Sequence, residues 1–192
     1  MRRALLCLVC GVAAACGDPS ARVADDPQAA YWASLTELCG QAFAGTVIED
    51  VGGDGGFTGQ PLVMHVRKCS DREIRIPFHV GADRSRTWVV TRTETGLRLK
   101  HDHRHDDGSE DRISRYGGDT RDPGTATEQA FHADAFTADL VPAAATNIWT
   151  MAVMPGDRFV YALRREAMNR RFSAEFDLST PVDPPPPPWG AE

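Results

Sequence analysis

The feature that most limits what this chain can fold into is a train of short alternating runs, each closed by turn residues. In EIRIPFHV, Ile74, Ile76, Phe78 and Val80 fall on one face, with Glu73, Arg75, Pro77 and His79 on the other. In the last run, Phe172, Ala174, Phe176 and Leu178 oppose Ser173, Glu175 and Asp177. A period of two gives an extended strand one dry and one wet face. GGDGG at 52–56, Thr95-Gly96, Asp107-Gly108, Gly117-Gly118 and Pro155-Gly156 punctuate the train, and such residues supply the positive φ of tight turns.

This pattern predicts strands at 43–49, 62–69, 73–80, 86–94, 97–105, 109–116, 126–132, 147–154, 158–166 and 171–178. Only two helical pieces interrupt them. YWASLTELCGQAF places Tyr31, Leu35 and Leu38 at helical spacing, and ADAFTADLV at 133–141 has Asp134 as its N-cap. Strands linked by short turns pair as antiparallel neighbours. The expected fold class is therefore all-β, an antiparallel up-and-down β-barrel of about eight to ten strands with a short N-terminal helix. The alternative is a β-sandwich or jelly roll. In outline the chain resembles the calycin group of ligand-binding barrels, which implies an interior pocket.

The N-terminus reads differently. Arg2 and Arg3 precede the apolar run ALLCLVCGVAAA, too short to span a bilayer and suited to the core of an export signal. VAAAC, Val12 to Cys16, resembles the lipobox of bacterial lipoproteins. That resemblance implies cleavage before Cys16, lipidation of Cys16, and a membrane-anchored protein facing the periplasm or held at the outer membrane. The expected organisation is a signal peptide at 1–15, a tether at 16–30, a barrel domain at 31–182 and a Pro-rich tail at 183–192. The tail, DPPPPPWGAE, favours a stiff polyproline II rod. It either meets a partner's groove or lays Trp189 against its own domain.

Loss of the leader removes Cys7 and Cys10 and leaves Cys16, Cys39 and Cys69. With Cys16 lipidated in an oxidising compartment, a Cys39–Cys69 disulfide is the economical expectation. The mature chain carries 27 acidic and 19 basic residues, a net charge of −8. That balance repels phosphate backbones, and no basic patch with interleaved aromatics is visible, so nucleic acid is not the expected partner.

The residues from Leu97 to Asp111, LRLKHDHRHDDGSED, hold the candidate chemistry. Alternation puts Leu97, Leu99, His101, His103 and His105 on one face. If the leucines point inward, Leu97, Leu99, His101 and His103 form a pocket wall that turns from apolar to imidazole. A two-residue turn at Asp107-Gly108 would pair His105 with Glu110 and bring Glu110 to the same face. His103, His105 and Glu110 then make two imidazoles and a carboxylate, a set suited to a divalent metal. The spacing from His103 through His105 and Glu110 to Gly117 also resembles the first cupin motif, which implies a metalloprotein of oxygenase or isomerase type. The same residues also fit a plain solvated hairpin end, its acids and bases paired across strands.

No nucleophile elbow, phosphate-binding glycine loop or Cys-x-x-Cys pair follows the leader, so no catalytic residues are identified. The leading expectation is an exported barrel that binds a small or apolar molecule, or a protein partner, at the cell envelope. A cupin-like metal protein is the second, and a structural envelope protein without a pocket the third.

Overall fold

The structure is a computed structural model that describes residues 26–191. The expected signal peptide, lipidated Cys16 and most of the tether lie outside the described residues. Helix α1 spans Pro27–Glu37. The carboxylate of Asp26 accepts from the backbone N–H groups of Gln28 and Ala29, and Pro27 occupies the first turn. Both features fix a helix start, because they satisfy or remove N–H groups that have no partner within the helix. The helix thus begins four residues ahead of Tyr31, inside the stretch expected to be tether.

Eleven strands follow: β1 (Ala42–Val51), β2 (Leu62–His65), β3 (Lys68–Cys69), β4 (Glu73–Val80), β5 (Asp83–Thr93), β6 (Gly96–His103), β7 (Tyr116–Thr120), β8 (Glu128–Ala133), β9 (Ile148–Met154), β10 (Arg158–Arg165) and β11 (Arg170–Asp177). A second helix, α2 (Ala135–Leu140), starts at Asp134, whose carboxylate accepts from the Thr137 N–H. Except for β2 and β3, which both pair with β4 rather than with each other, each strand pairs antiparallel with its sequence neighbours, and β1 pairs with β11 to close the ring. β2 pairs with the upper part of β4 and β3 with its lower part, so ten strands form the closed wall and β3 continues the edge of β2. This is the up-and-down barrel; the closing β1–β11 ladder excludes the two separate sheets of a sandwich.

One close approach in the wall depends on a missing side chain. A Cβ on Gly45 would lie 2.4 Å from Cδ1 of Phe176 across the closing ladder, so glycine lets that ring lie flat over the seam.

The interior is packed from one end. Tyr31, Trp32 and Leu35 of α1 join Phe43, Ile74, Ile76, Val90, Leu97, Leu99 and Phe176 in one apolar cluster. Gln28 Nε2 donates to Thr120 Oγ1 at 3.1 Å and to Gln129 Oε1 at 3.3 Å, and the Arg92 guanidinium stacks 4.7 Å over the Trp32 ring. The helix is therefore a plug across the end where β5 turns into β6. Cys39, just beyond α1, is bonded to Cys69 of β3, which ties the plug to the wall as the cysteine arithmetic predicts.

The segment expected as a strand at 109–116 is not one. Beyond His103 the chain makes only an isolated bridge between Arg104 and Glu110, and pairing resumes at Tyr116. The tail leaves β11, bridges Ala42 through Val182, and runs up the outer wall. There the Trp189 N–H donates to the Arg84 carbonyl at 3.2 Å, and Arg84 Nη1 donates to the Pro187 carbonyl at 3.0 Å. Pro188 is buried and Trp189 half-buried in a groove beside Pro77, Thr87 and Asp102.

Candidate functional site

Opposite the α1 plug the barrel opens into a cavity of about 290 Å³, room for roughly ten waters at the volume each occupies in the liquid. Its position follows from the inward-facing rows. On β6 the row runs Leu97, Leu99, His101, His103; on β5 it runs Val90, Trp88, Arg86; on β10 Phe159, Tyr161, Leu163, Arg165; and on β11 Phe176, Ala174, Phe172, Arg170. Each begins apolar at the plugged end and finishes in imidazole or guanidinium at the open end. The apolar ends pack as core, and the polar ends are held apart by charge and hydration, which leaves the space between them.

Aromatic rings form most of the cavity wall. Trp88 stacks on Tyr161 with centroids 4.4 Å apart and on Phe78 at 4.7 Å, while Trp149 lies across from His101 at 5.2 Å. Three segments frame the mouth: Phe57 from the glycine-rich 52–61 turn, Ile113 from the 104–115 loop, and Val141 with Ala144 after α2. Phe57 is set edge-on to Phe78 at 5.8 Å and to Phe172 at 5.4 Å. The glycine-rich turn thus has a packing role that its composition does not reveal.

A polar ladder climbs one side of this wall. His101 is buried; its Nδ1 lies 3.2 Å from the Tyr116 carbonyl and its Nε2 2.7 Å from the Tyr161 hydroxyl. A carbonyl only accepts, so Nδ1 carries the proton and Nε2 accepts from Tyr161. Burial lowers the His101 pKa to about 3, with the neighbouring His103 adding to the effect, so the ring is neutral and the tautomer fixed. Tyr116 lies flat on His101 with centroids 4.5 Å apart, and its hydroxyl is 3.3 Å from His103 Nε2. Burial pushes Tyr116 up to about 12 and Tyr161 well above the ordinary phenol value, so both keep their O–H as donors. His103, at the rim, is held below its usual value by burial and then by Arg86.

Of the four residues expected to line a pocket, His101 and His103 face the cavity, whereas Leu97 and Leu99 lie deeper on the same row in the filled core. The ligand set His103, His105 and Glu110 is not assembled. The bridge pairs Glu110 with Arg104 rather than with His105, and this one-residue change of register turns the side chain to the opposite face. Glu110 Oε2 accepts from Arg104 at 3.2 Å and from Arg115 Nε at 2.8 Å, and His105 is exposed. Among the described residues no group of three His, Cys, Asp or Glu side chains is placed to hold a metal ion. The sequence reading missed Arg86, Arg165 and Arg170, although each extends an inward row by one more step of two and so was legible from parity.

No family model, curated protein or solved structure matches this chain.

Proposed function

We propose that the protein is an exported barrel, anchored by lipid on Cys16, that binds a small and largely apolar molecule in the open end of its interior. The observation that carries this reading is the cavity between His101, Trp88, Trp149 and Tyr161, walled by rings and supplied with a few convergent polar groups. Sites for small molecules have that composition, and this volume stands at the lower end of their range. The Cys39–Cys69 disulfide supports an oxidising compartment outside the cytoplasm. The cavity also weighs against a purely structural barrel, whose interior would be filled throughout. Binding calls for no catalytic group, and the neutral His101 is held by two partners rather than poised beside a nucleophile.

Native mass spectrometry of the full chain purified from its own host tests the reading. A retained molecule is expected in the unaltered protein and not in Leu163→Trp, which fills the cavity from a lining position. Equal spectra of empty protein from both would count against a bound small molecule. Metabolic labelling with a palmitate analogue, comparing the wild type with Cys16→Ser, tests the anchor.

A further inference from the structure

We infer that the ligand is a small organic monoanion, its flat apolar body lying against Trp88, Trp149 and Tyr161 and its single anionic group on Arg165 at the mouth. The inference rests on reading the cavity as a binding site, and it names the chemistry of the occupant. Among the described residues three arginines line the cavity, and no aspartate or glutamate does. Two of the three are neutralised from behind: Arg86 pairs with Asp83, and Arg170 pairs with Asp50.

Arg165 differs. Its Nε donates to Asn147 Oδ1 at 2.6 Å and its Nη1 reaches the Met168 sulfur at 3.5 Å, both uncharged partners. Among the described residues no carboxylate forms an ion pair with it. The side chain is half-buried, and desolvation, then the nearby Arg170, lower its pKa. A partly desolvated cation without a counter-charge is unfavourable, and an arriving oxyanion relieves it.

The geometry suits that role. Asn147 is buried, and its bond to Nε fixes the plane of the guanidinium, whose fork matches a carboxylate. His101 and His103 are both neutral at pH 7, their values held below the ordinary 6.5, so they add donors or acceptors without charge. One unbalanced positive charge at the mouth of a ring-lined cavity selects one negative charge on an apolar body.

The test compares three probes that share one ring system on the full chain by isothermal titration: naphthalene-2-carboxylate, naphthalene-2-methanol and 2-naphthylmethylammonium. The carboxylate is expected to bind at least about tenfold more tightly than the alcohol, as a charge-assisted bond outweighs a neutral one, with the ammonium weakest. Arg165→Gln should bring acid and alcohol within about threefold, mainly by weakening the acid. Equal binding of acid and alcohol to the wild type, or an acid preference that survives Arg165→Gln, overturns the inference while leaving the cavity reading intact. Binding of none of the three also overturns it, and the native mass spectrum decides separately whether the cavity holds anything. Should Arg165→Gln not fold, salt dependence of the wild type replaces it. Acid affinity should fall several-fold between about 0.05 and 0.5 M salt while alcohol affinity holds, and parallel behaviour of the two sinks the proposal.

Discussion

The hydroxyl of Tyr161 on β10 donates to Nε2 of His101 on β6 at 2.7 Å, a hydrogen bond that crosses the inside of the barrel between strands that are not neighbours in the sheet. It links opposite parts of the wall directly beneath the cavity, and both partners are buried. Deleting the hydroxyl in Tyr161→Phe leaves a buried imidazole nitrogen without its donor. The expected cost is about 1–3 kcal/mol, read as a lowered denaturant midpoint with an unchanged slope. Tyr116→Phe, which removes the longer bond to the rim residue His103, should cost less.

Acid should destabilise the fold over an earlier range than carboxylate titration alone gives. Burial holds His101 near 3 and His79 near 4 in the folded state, against about 6.5 when unfolded. Between these values the unfolded chain binds protons that the folded one does not, so stability is full above about 6.5 and falls as pH drops toward 4 and then 3. A tenfold difference in proton affinity between the two states is worth about 1.4 kcal/mol, so the total loss is several kcal/mol. Urea unfolding from pH 7 to pH 4 should show this decline, and His101→Gln should flatten it by about one proton while starting from a lower stability. A profile flat down to pH 4.5 would show that these rings are solvated.

The plug should loosen on reduction. The Cys39–Cys69 bond closes a sequence separation of 30, and the loop-entropy model gives about 3–4 kcal/mol for such a loop. The Cys39→Ala, Cys69→Ala double variant is expected to unfold at correspondingly lower denaturant, with early hydrogen-exchange losses in α1. Unaltered exchange in α1 would show that the helix holds without its tie.

Two glycines should respond very differently to alanine. A Cβ on Gly118 would sit 1.7 Å from the carbonyl oxygen of His132, backbone that is fixed by the β7–β8 ladder. Gly118→Ala must open that pairing, and a loss above about 3 kcal/mol or failure to fold is expected. Gly156 has φ +71° and open space around it, so Gly156→Ala should cost only about 1–2 kcal/mol from left-handed backbone strain. Thermal melts of the pair, measured side by side, check the contrast.

Most of the barrel was legible because strand alternation and turn residues are local signals. EIRIPFHV forms β4 over its expected length, and Asp134 caps α2 as its place at the head of ADAFTADLV implies. The 104–115 segment was not legible in the same way. Asp107-Gly108 has the residues of a two-residue turn and Gly108 does adopt φ +83°, yet the bridge forms between Arg104 and Glu110. Arg104 is held by Asp102 at 2.8 Å, and Glu110 is shared with Arg115. The His105 N–H donates to the Ser109 carbonyl at 2.9 Å, so a three-residue turn over 106–108, with Gly108 left-handed at its end, sets that register, and Asp107-Gly108 suits this turn as well as the two-residue one.

The sequence by itself determined which side of each strand faces inward, because side-chain parity is a property of the extended backbone and survives whatever the strand pairs with. It therefore already held the row from Leu97 to His103, and the rows that end at Arg86, Arg165 and Arg170. Only the tertiary structure decided where the core stops and the cavity begins. That boundary depends on how deep the α1 plug reaches and on which of the mouth arginines find carboxylates, within a strand or across the closing ladder. Asp50 reaches Arg170 across the closing ladder and Asp83 reaches Arg86 within β5, while among the described residues Arg165 is held by Asn147 and Met168 and by no carboxylate. The Asp83–Arg86 pair is local, but the Asp50–Arg170 pair exists only because β1 and β11 close the ring, so the charge balance at the mouth cannot be summed from neighbouring residues alone.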